Sequence, residues 1–183
     1  MINRVYIYIV DLLLSCFILL SWASCNDDTT SRTVSGNTSD RKSSLEKVNK
    51  YIVRQESEYI EDYVERRGLD MIRTGTGLRY CVLRHGDTVS INKGDIVTLE
   101  YRVRLLTGDV VYSSKEDGPK VFQVGKGGVE SGLEEVMLLL HVNDVAEVII
   151  PSHLAFGLLG DGHKIPPKAT LIYNLKVVEK LSK

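Results

Sequence analysis

Ala155-Phe156-Gly157-Leu158-Leu159-Gly160-Asp161-Gly162-His163-Lys164-Ile165-Pro166-Pro167-Lys168-Ala169-Thr170-Leu171 is a glycine-punctuated loop that runs through two prolines into an apolar strand. Glycines turn the loop and Pro166-Pro167 fixes its exit angle, so apolar side chains on either side converge on one shallow pocket. Upstream, Val129-Glu130-Ser131-Gly132-Leu133-Glu134-Glu135 opens a short helical pattern. Neither segment alone is diagnostic, but their order and spacing together are specific.

Strand patterns surround these two segments. Leu78, Tyr80 and Val82 alternate, and Val97, Leu99, Tyr101, Val103 and Leu105 face opposite Ile96, Thr98, Glu100, Arg102 and Arg104. Thr107-Gly108-Asp109 predicts a hairpin turn into Val110-Val111-Tyr112, and Lys120 to Val124 predicts another short strand. Gly132 to Leu140 reads as a brief helix with Leu133, Val136, Met137 and Leu140 on one side. Val145 to Ile150 and Thr170 to Val178 supply the last strands. Strands dominate, one short helix intervenes and no βαβ alternation occurs. The expectation is an α+β fold, an antiparallel curved β-sheet wrapped around one short helix.

An N-terminal amphipathic helix is expected to precede that sheet over residues 43–70. Ser43-Ser44-Leu45-Glu46 has the capping-box pattern, and Leu45, Val48, Ile52, Tyr59, Ile60, Tyr63 and Val64 recur at helical spacings. Gly68 is a natural stop. Such a helix packs on its own domain, or pairs with a second copy along Leu45–Val64 to give a homodimer.

Residues 25–42 are rich in Ser, Thr, Asn and Asp with almost nothing apolar, and read as a flexible polar tether. Ahead of them, Arg4 and the apolar run from Leu12 to Ser24 have the layout of a secretory signal over residues 1–24. Ser21-Trp22-Ala23-Ser24-Cys25 resembles a bacterial lipobox, which makes Cys25 the expected lipidation site and the membrane an expected partner. An uncleaved anchor from Val5 to Ala23 is the alternative. On the first reading, Cys25 carries more than one acyl chain, enough for stable anchoring at the bacterial cell envelope, on the periplasmic or surface side. Cys16 would leave with the leader, so Cys81 remains without an internal disulfide partner.

The chain has 183 residues, 43% of them hydrophobic, and a net charge of -1. That suits one core plus an accessory segment. Basic residues do not cluster along any element, so nucleic acid is not an expected partner. His85, His141, His153 and His163 are scattered, and no phosphate loop or Ser-His-Asp arrangement stands out. No metal and no cofactor is expected. The two segments quoted first resemble those of the FKBP-type prolyl isomerases, and the reaction this resemblance implies needs none of these. Its barrier of about 18–20 kcal/mol comes from imide resonance, and an apolar, water-poor pocket favours the less polar twisted state.

From Gly77 to the C-terminus the chain resembles the FKBP-type peptidyl-prolyl isomerases, carried by Val129 to Glu135, Ala155-Phe156-Gly157 and Ile165-Pro166-Pro167. The resemblance implies an FKBP-like isomerase domain over residues 71–183, with proline-containing polypeptides as substrates. It assigns Tyr101, Phe122, Val129, Ile165 and Tyr173 to the pocket, with the Glu130 backbone N–H offered to a substrate carbonyl. Leu133 falls where the family floor is usually Trp, Phe156 where a Tyr hydroxyl is usual, and Val111 where a wall Phe stands. Tyr112 replaces an Asp, and Asp161 and Lys164 stand where other members often have His and an aliphatic residue. These departures imply a wider, altered pocket and reduced catalysis. Two function classes follow: an exported prolyl isomerase that assists folding of envelope proteins, and a binding module of the same fold that docks proline-containing segments. A structural dimer built on the Leu45–Val64 helix is a third.

Overall fold

The computed structural model describes residues 38–182. The expected leader, Cys25 and most of the expected tether lie outside the described residues. The elements below belong to the compact unit Lys42–Lys183, apart from the first turn of the opening helix.

That helix, α1 (Thr38–Arg67), starts ahead of the Ser43 capping box, so the last tether residues are helical. Thr38, Ser39 and Asp40 are themselves favourable helix starters, and little after them opposes a helix. Its end is set by Gly68 in the left-handed region, φ 59°. There the Gly68 N–H bonds the Glu65 carbonyl at 3.0 Å and the Leu69 N–H bonds the Val64 carbonyl at 3.1 Å. This is the Schellman arrangement, completed by packing of Leu69 against the cluster that contains Val64.

Seven antiparallel strands form one sheet in the order β1-β2-β6-β7-β3-β4, with β5 also pairing β3. They are β1 (Ile72–Arg73), β2 (Arg79–Arg84), β3 (Ile96–Leu105), β4 (Val110–Ser113), β5 (Lys120–Gln123), β6 (Val145–Ile150) and β7 (Leu171–Leu181). β3 is the axis. Its whole length pairs β7, while its first half also meets β5 and its second half β4. The β3–β4 turn closes as expected, with Gly108 at φ 101° and its N–H on the Leu105 carbonyl at 2.9 Å. A one-turn helix, α2 (Ser114–Asp117), not expected from the sequence, follows β4.

Alternation gives the sheet two buried faces. On the concave face, Val97, Leu99, Val103, Leu171, Tyr173, Leu175 and Val177 pack with Leu133, Val136 and Met137 of α3 (Ser131–Met137). α3 sits so close to β6 that a Cβ on Gly132 would fall 2.4 Å from Ile150 Cγ2, which is why glycine stands there. On the convex face, Ile149 of β6 and Ile172 of β7 receive Ile60, Tyr63 and Val64 of α1. Burial of each such side chain contributes about 1.5–3 kcal/mol. Arg79 locks the contact. Its buried guanidinium donates to the Ser57 carbonyl at 3.2 Å and to Glu61 Oε2 at 2.8 Å.

The apolar stripe along Leu45–Val64 divides in two. The C-terminal part of that stripe is consumed by the chain's own sheet. Leu45, Val48 and Tyr51 stay exposed. Among the described residues, no helix is long and apolar enough to cross a membrane. Cys81 lies half-buried in β2, where burial pushes its thiol pKa up and away from the reactive thiolate.

Candidate functional site

A cavity of about 400 Å³ opens on the concave side where β3, β4, β5 and β7 meet the loop after β6. Tyr101 and Val103 enter from β3, Tyr112 from β4, Lys120 from β5, Tyr173 from β7, and Glu130 from the turn before α3. Phe156, Asp161 and His163 close it from residues 152–170. Two other grooves, of about 680 and 410 Å³, flank α1. None of the residues expected for the site lines either.

The floor is a hydrogen-bonded network. The Tyr173 hydroxyl donates to Glu130 Oε1 at 2.6 Å, and Lys120 Nζ lies 3.5 Å from both Glu130 Oε2 and the Tyr173 oxygen. The Glu130 side chain is only 4% exposed, the Lys120 side chain 26%. A carboxylate that deep requires such partners. The Lys120 ammonium also sits 5.4 Å and 5.8 Å from the ring centroids of Tyr101 and Tyr173, within cation–π range. Burial, and then the Glu130 charge, hold the Tyr173 phenol well above its usual pKa. Burial, with Asp117 and Glu130 adding, raises Tyr101 as well. Both hydroxyls are therefore neutral donors at physiological pH. Among the described residues the Tyr101 hydroxyl has no hydrogen-bond partner, which leaves it available to a ligand carbonyl.

The loop side is held by a second network. The Tyr112 hydroxyl donates to Asp161 Oδ2, and Asp161 Oδ1 accepts the N–H groups of His163 and Ile165, each at 2.8 Å. Burial pushes the Asp161 carboxyl up, but the Tyr112 hydroxyl and the two N–H groups outweigh it and hold the pKa below the usual range. The same bond raises Tyr112. Lys164 Nζ lies 5.0 Å from the Tyr112 ring centroid. At Gly160, φ 73°, a Cβ would fall 2.2 Å from the Ile165 carbonyl oxygen, so only glycine permits this tight return.

Of the nine residues expected for the pocket, Tyr101, Glu130, Phe156 and Tyr173 line this cavity. Val111, Phe122, Leu133 and Ile165 are buried in the core behind it, and Val129 is half-buried against that core. Leu133, expected as the floor, is fully buried; its short side chain is absorbed by the α3–sheet packing. Lys120, Glu130 and Tyr173 give the cavity a polar, hydrogen-bonded lining beside Tyr101 and Phe156. Lys120 was detectable in principle. It stands two residues before Phe122 on β5, and period-two alternation puts both on the inner face. Among the described residues no group of three His, Cys, Asp or Glu side chains is placed to hold a metal ion.

The sequence profile described as FKBP-type peptidyl-prolyl cis-trans isomerase matches residues 87–178. The chain belongs to that family. It is 40% identical over 107 residues to Probable FKBP-type peptidyl-prolyl cis-trans isomerase FkpA of Neisseria meningitidis serogroup B, covering 58% of this chain and 39% of that protein. It is 33% identical over 124 residues to the FKBP-type 22 kDa peptidyl-prolyl cis-trans isomerase of Escherichia coli, covering 67% of this chain and 58% of that protein. The chain thus spans less than two thirds of the length of either relative. The crystal structure of AtFKBP13 superposes with a TM-score of 0.59 at 27% identity, over 61% of this chain and 99% of that one. The matched region accordingly holds the cavity, while α1 lies outside it and packs on Ile149 and Ile172 within it.

Proposed function

We propose that the chain is a peptidyl-prolyl cis-trans isomerase that twists X-Pro bonds in the cavity lined by Tyr101, Glu130, Phe156 and Tyr173. The observation that carries this reading is the convergence of those four residues, from four separate segments, on one cavity of an FKBP-family domain. Rotation about the imide needs no nucleophile and no proton transfer. It needs a bound proline ring and donors for the flanking carbonyls. The neutral Tyr101 hydroxyl and the backbone N–H of Glu130, at the start of α3, are the donors. Each tenfold of rate requires about 1.4 kcal/mol, within reach of shape and partial desolvation. The substrates are proline-containing segments of exported or envelope proteins. Cys25, lipidated, tethers the enzyme to the bacterial cell envelope, with residues 25–42 leading to the folded domain.

The test is relaxation of a Leu-Pro tetrapeptide from its cis isomer, followed with the full chain in detergent. Acceleration at micromolar protein supports the reading, and an uncatalysed rate removes it. Incorporation of a labelled fatty acid that is lost in Cys25→Ser checks the tether separately.

A second reading has its own support. The Lys120–Glu130–Tyr173 floor is charged, and a polar floor favours the planar, more polar imide over the twisted one. On that reading the cavity binds proline-containing segments and turns them over slowly.

A further inference from the structure

Glu56 lies on α1, outside the family match, yet its carboxylate reaches both ends of the loop that closes the cavity. Oε1 accepts the Ser152 backbone N–H at 2.6 Å and the Thr170 hydroxyl at 2.6 Å, and Oε2 accepts the Ser152 hydroxyl at 2.8 Å. Ser152 and Thr170 are both buried. These three donors have no other acceptor among the described residues, so removing the carboxylate would leave buried polar groups unpaired. Ser152 opens the segment and Thr170 ends it. Between them lie Phe156, Asp161 and His163, all on the cavity wall. Inside the loop, the Gly157 N–H bonds the Ser152 carbonyl at 2.8 Å and the Lys168 N–H bonds the Gly157 carbonyl at 2.9 Å. The position of Phe156 therefore follows from the position of the two loop ends.

We propose that Glu56 is a positioning residue for the cavity: a clamp by which the N-terminal helix fixes the two feet of the 152–170 loop and holds Phe156 and Asp161 against the substrate. The proposal rests on the isomerase reading of the cavity. Docking of α1 does not depend on this clamp. Ile60, Tyr63 and Val64 and the Arg79–Glu61 pair hold the helix one to two turns further on. Loss of the carboxylate then frees the loop while the helix stays in place. Substrate affinity suffers more than turnover, because the loop supplies walls and neither of the two donors.

The experiment compares the full chain with Glu56→Ala and Glu56→Gln. Hydrogen exchange of residues 153–169 is read by mass spectrometry, and KM and kcat are read on the Leu-Pro tetrapeptide. Glu56→Ala is expected to speed loop exchange about tenfold, with residues 58–66 unchanged. It is expected to raise KM about threefold to tenfold with a smaller change in kcat. Glu56→Gln keeps an oxygen that can accept from Ser152 and Thr170, so it should recover most of both effects. Thr170→Val, which cuts one foot of the clamp and leaves α1 intact, should loosen the loop and raise KM in the same sense, and gives the answer if the alanine variant does not fold. The proposal is overturned if loop exchange in Glu56→Ala equals that of the wild type. It is equally overturned if residues 58–66 loosen as much as the loop, or if the loop loosens with KM and kcat unmoved. A wild-type chain without isomerase activity overturns the isomerase reading and the catalytic half of this one. Loop exchange separates that failure from a failure of the clamp.

Discussion

The Tyr173 hydroxyl donates a 2.6 Å hydrogen bond to Glu130 Oε1, joining the last strand to the turn before α3 at the bottom of the cavity. Both groups are buried, and Lys120 completes the network from β5. A floor of this kind fixes the cavity's shape through polar contacts, and it makes several properties of the protein measurable.

Tyr173→Phe removes the shortest bond to a buried carboxylate and leaves Lys120 as its only side-chain partner among the described residues. Stability should fall by about 1–3 kcal/mol, seen as a lower midpoint in urea with an unchanged slope.

The raised Tyr173 pKa has a definite sign. The folded state holds this proton more tightly than the unfolded state, whose phenol titrates near about 10. The resulting stability is complete below that pH and is lost as pH rises toward the higher folded pKa. Alkaline unfolding should therefore steepen above about pH 10 in the wild type and be shallower in Tyr173→Phe.

Asp161 has the opposite sign. Its folded pKa lies below the usual carboxylate value, so its contribution is present above about pH 4 and lost as pH falls through the folded pKa. Asp161→Asn should flatten the acid limb of the stability curve. Asp161→Ala removes the acceptor of the Tyr112 hydroxyl as well, and should raise KM for the tetrapeptide about threefold to tenfold. Tyr112→Phe should reproduce the change in KM.

Lys120→Met combined with Glu130→Gln makes the floor neutral and drier while keeping the Glu130 backbone N–H. If the polar floor restrains catalysis, kcat/KM should rise several-fold, each tenfold corresponding to about 1.4 kcal/mol. An unchanged value would mean that the charged floor is not what limits turnover.

Ile60→Ala would open a cavity between α1 and the convex face, since Ile60 is fully buried against Ile149 and Ile172. A loss of about 2–5 kcal/mol is expected in chemical denaturation. That loss would show that α1 is part of the folding unit.

Much of this architecture is written in local patterns. Alternation in Ile96–Leu105, Gly108 in the hairpin and Gly68 after the amphipathic stripe act within a few residues, so each could be read in advance. The convergence of Tyr101, Glu130, Phe156 and Tyr173 was legible only through family resemblance. Side-chain pairings across long separations were not legible at all. Tyr112 and Asp161 each stood out as departures from the family, but nothing local announces that one bonds the other. Nothing in the sequence around Glu56 marks it, because its partners Ser152 and Thr170 come close only once the sheet has formed. Leu133, at the family's floor position, is fully buried in the core, and its burial is what its place on the apolar side of α3 leads one to expect.

The most direct test is exchange NMR on a Leu-Pro tetrapeptide with the wild-type chain and Tyr101→Ala. The account predicts catalysed cis–trans exchange by the wild type and a loss of about tenfold or more in kcat/KM for the variant, as a free donor and a cavity wall go together. Equal exchange by both proteins, or none by the wild type, would contradict it.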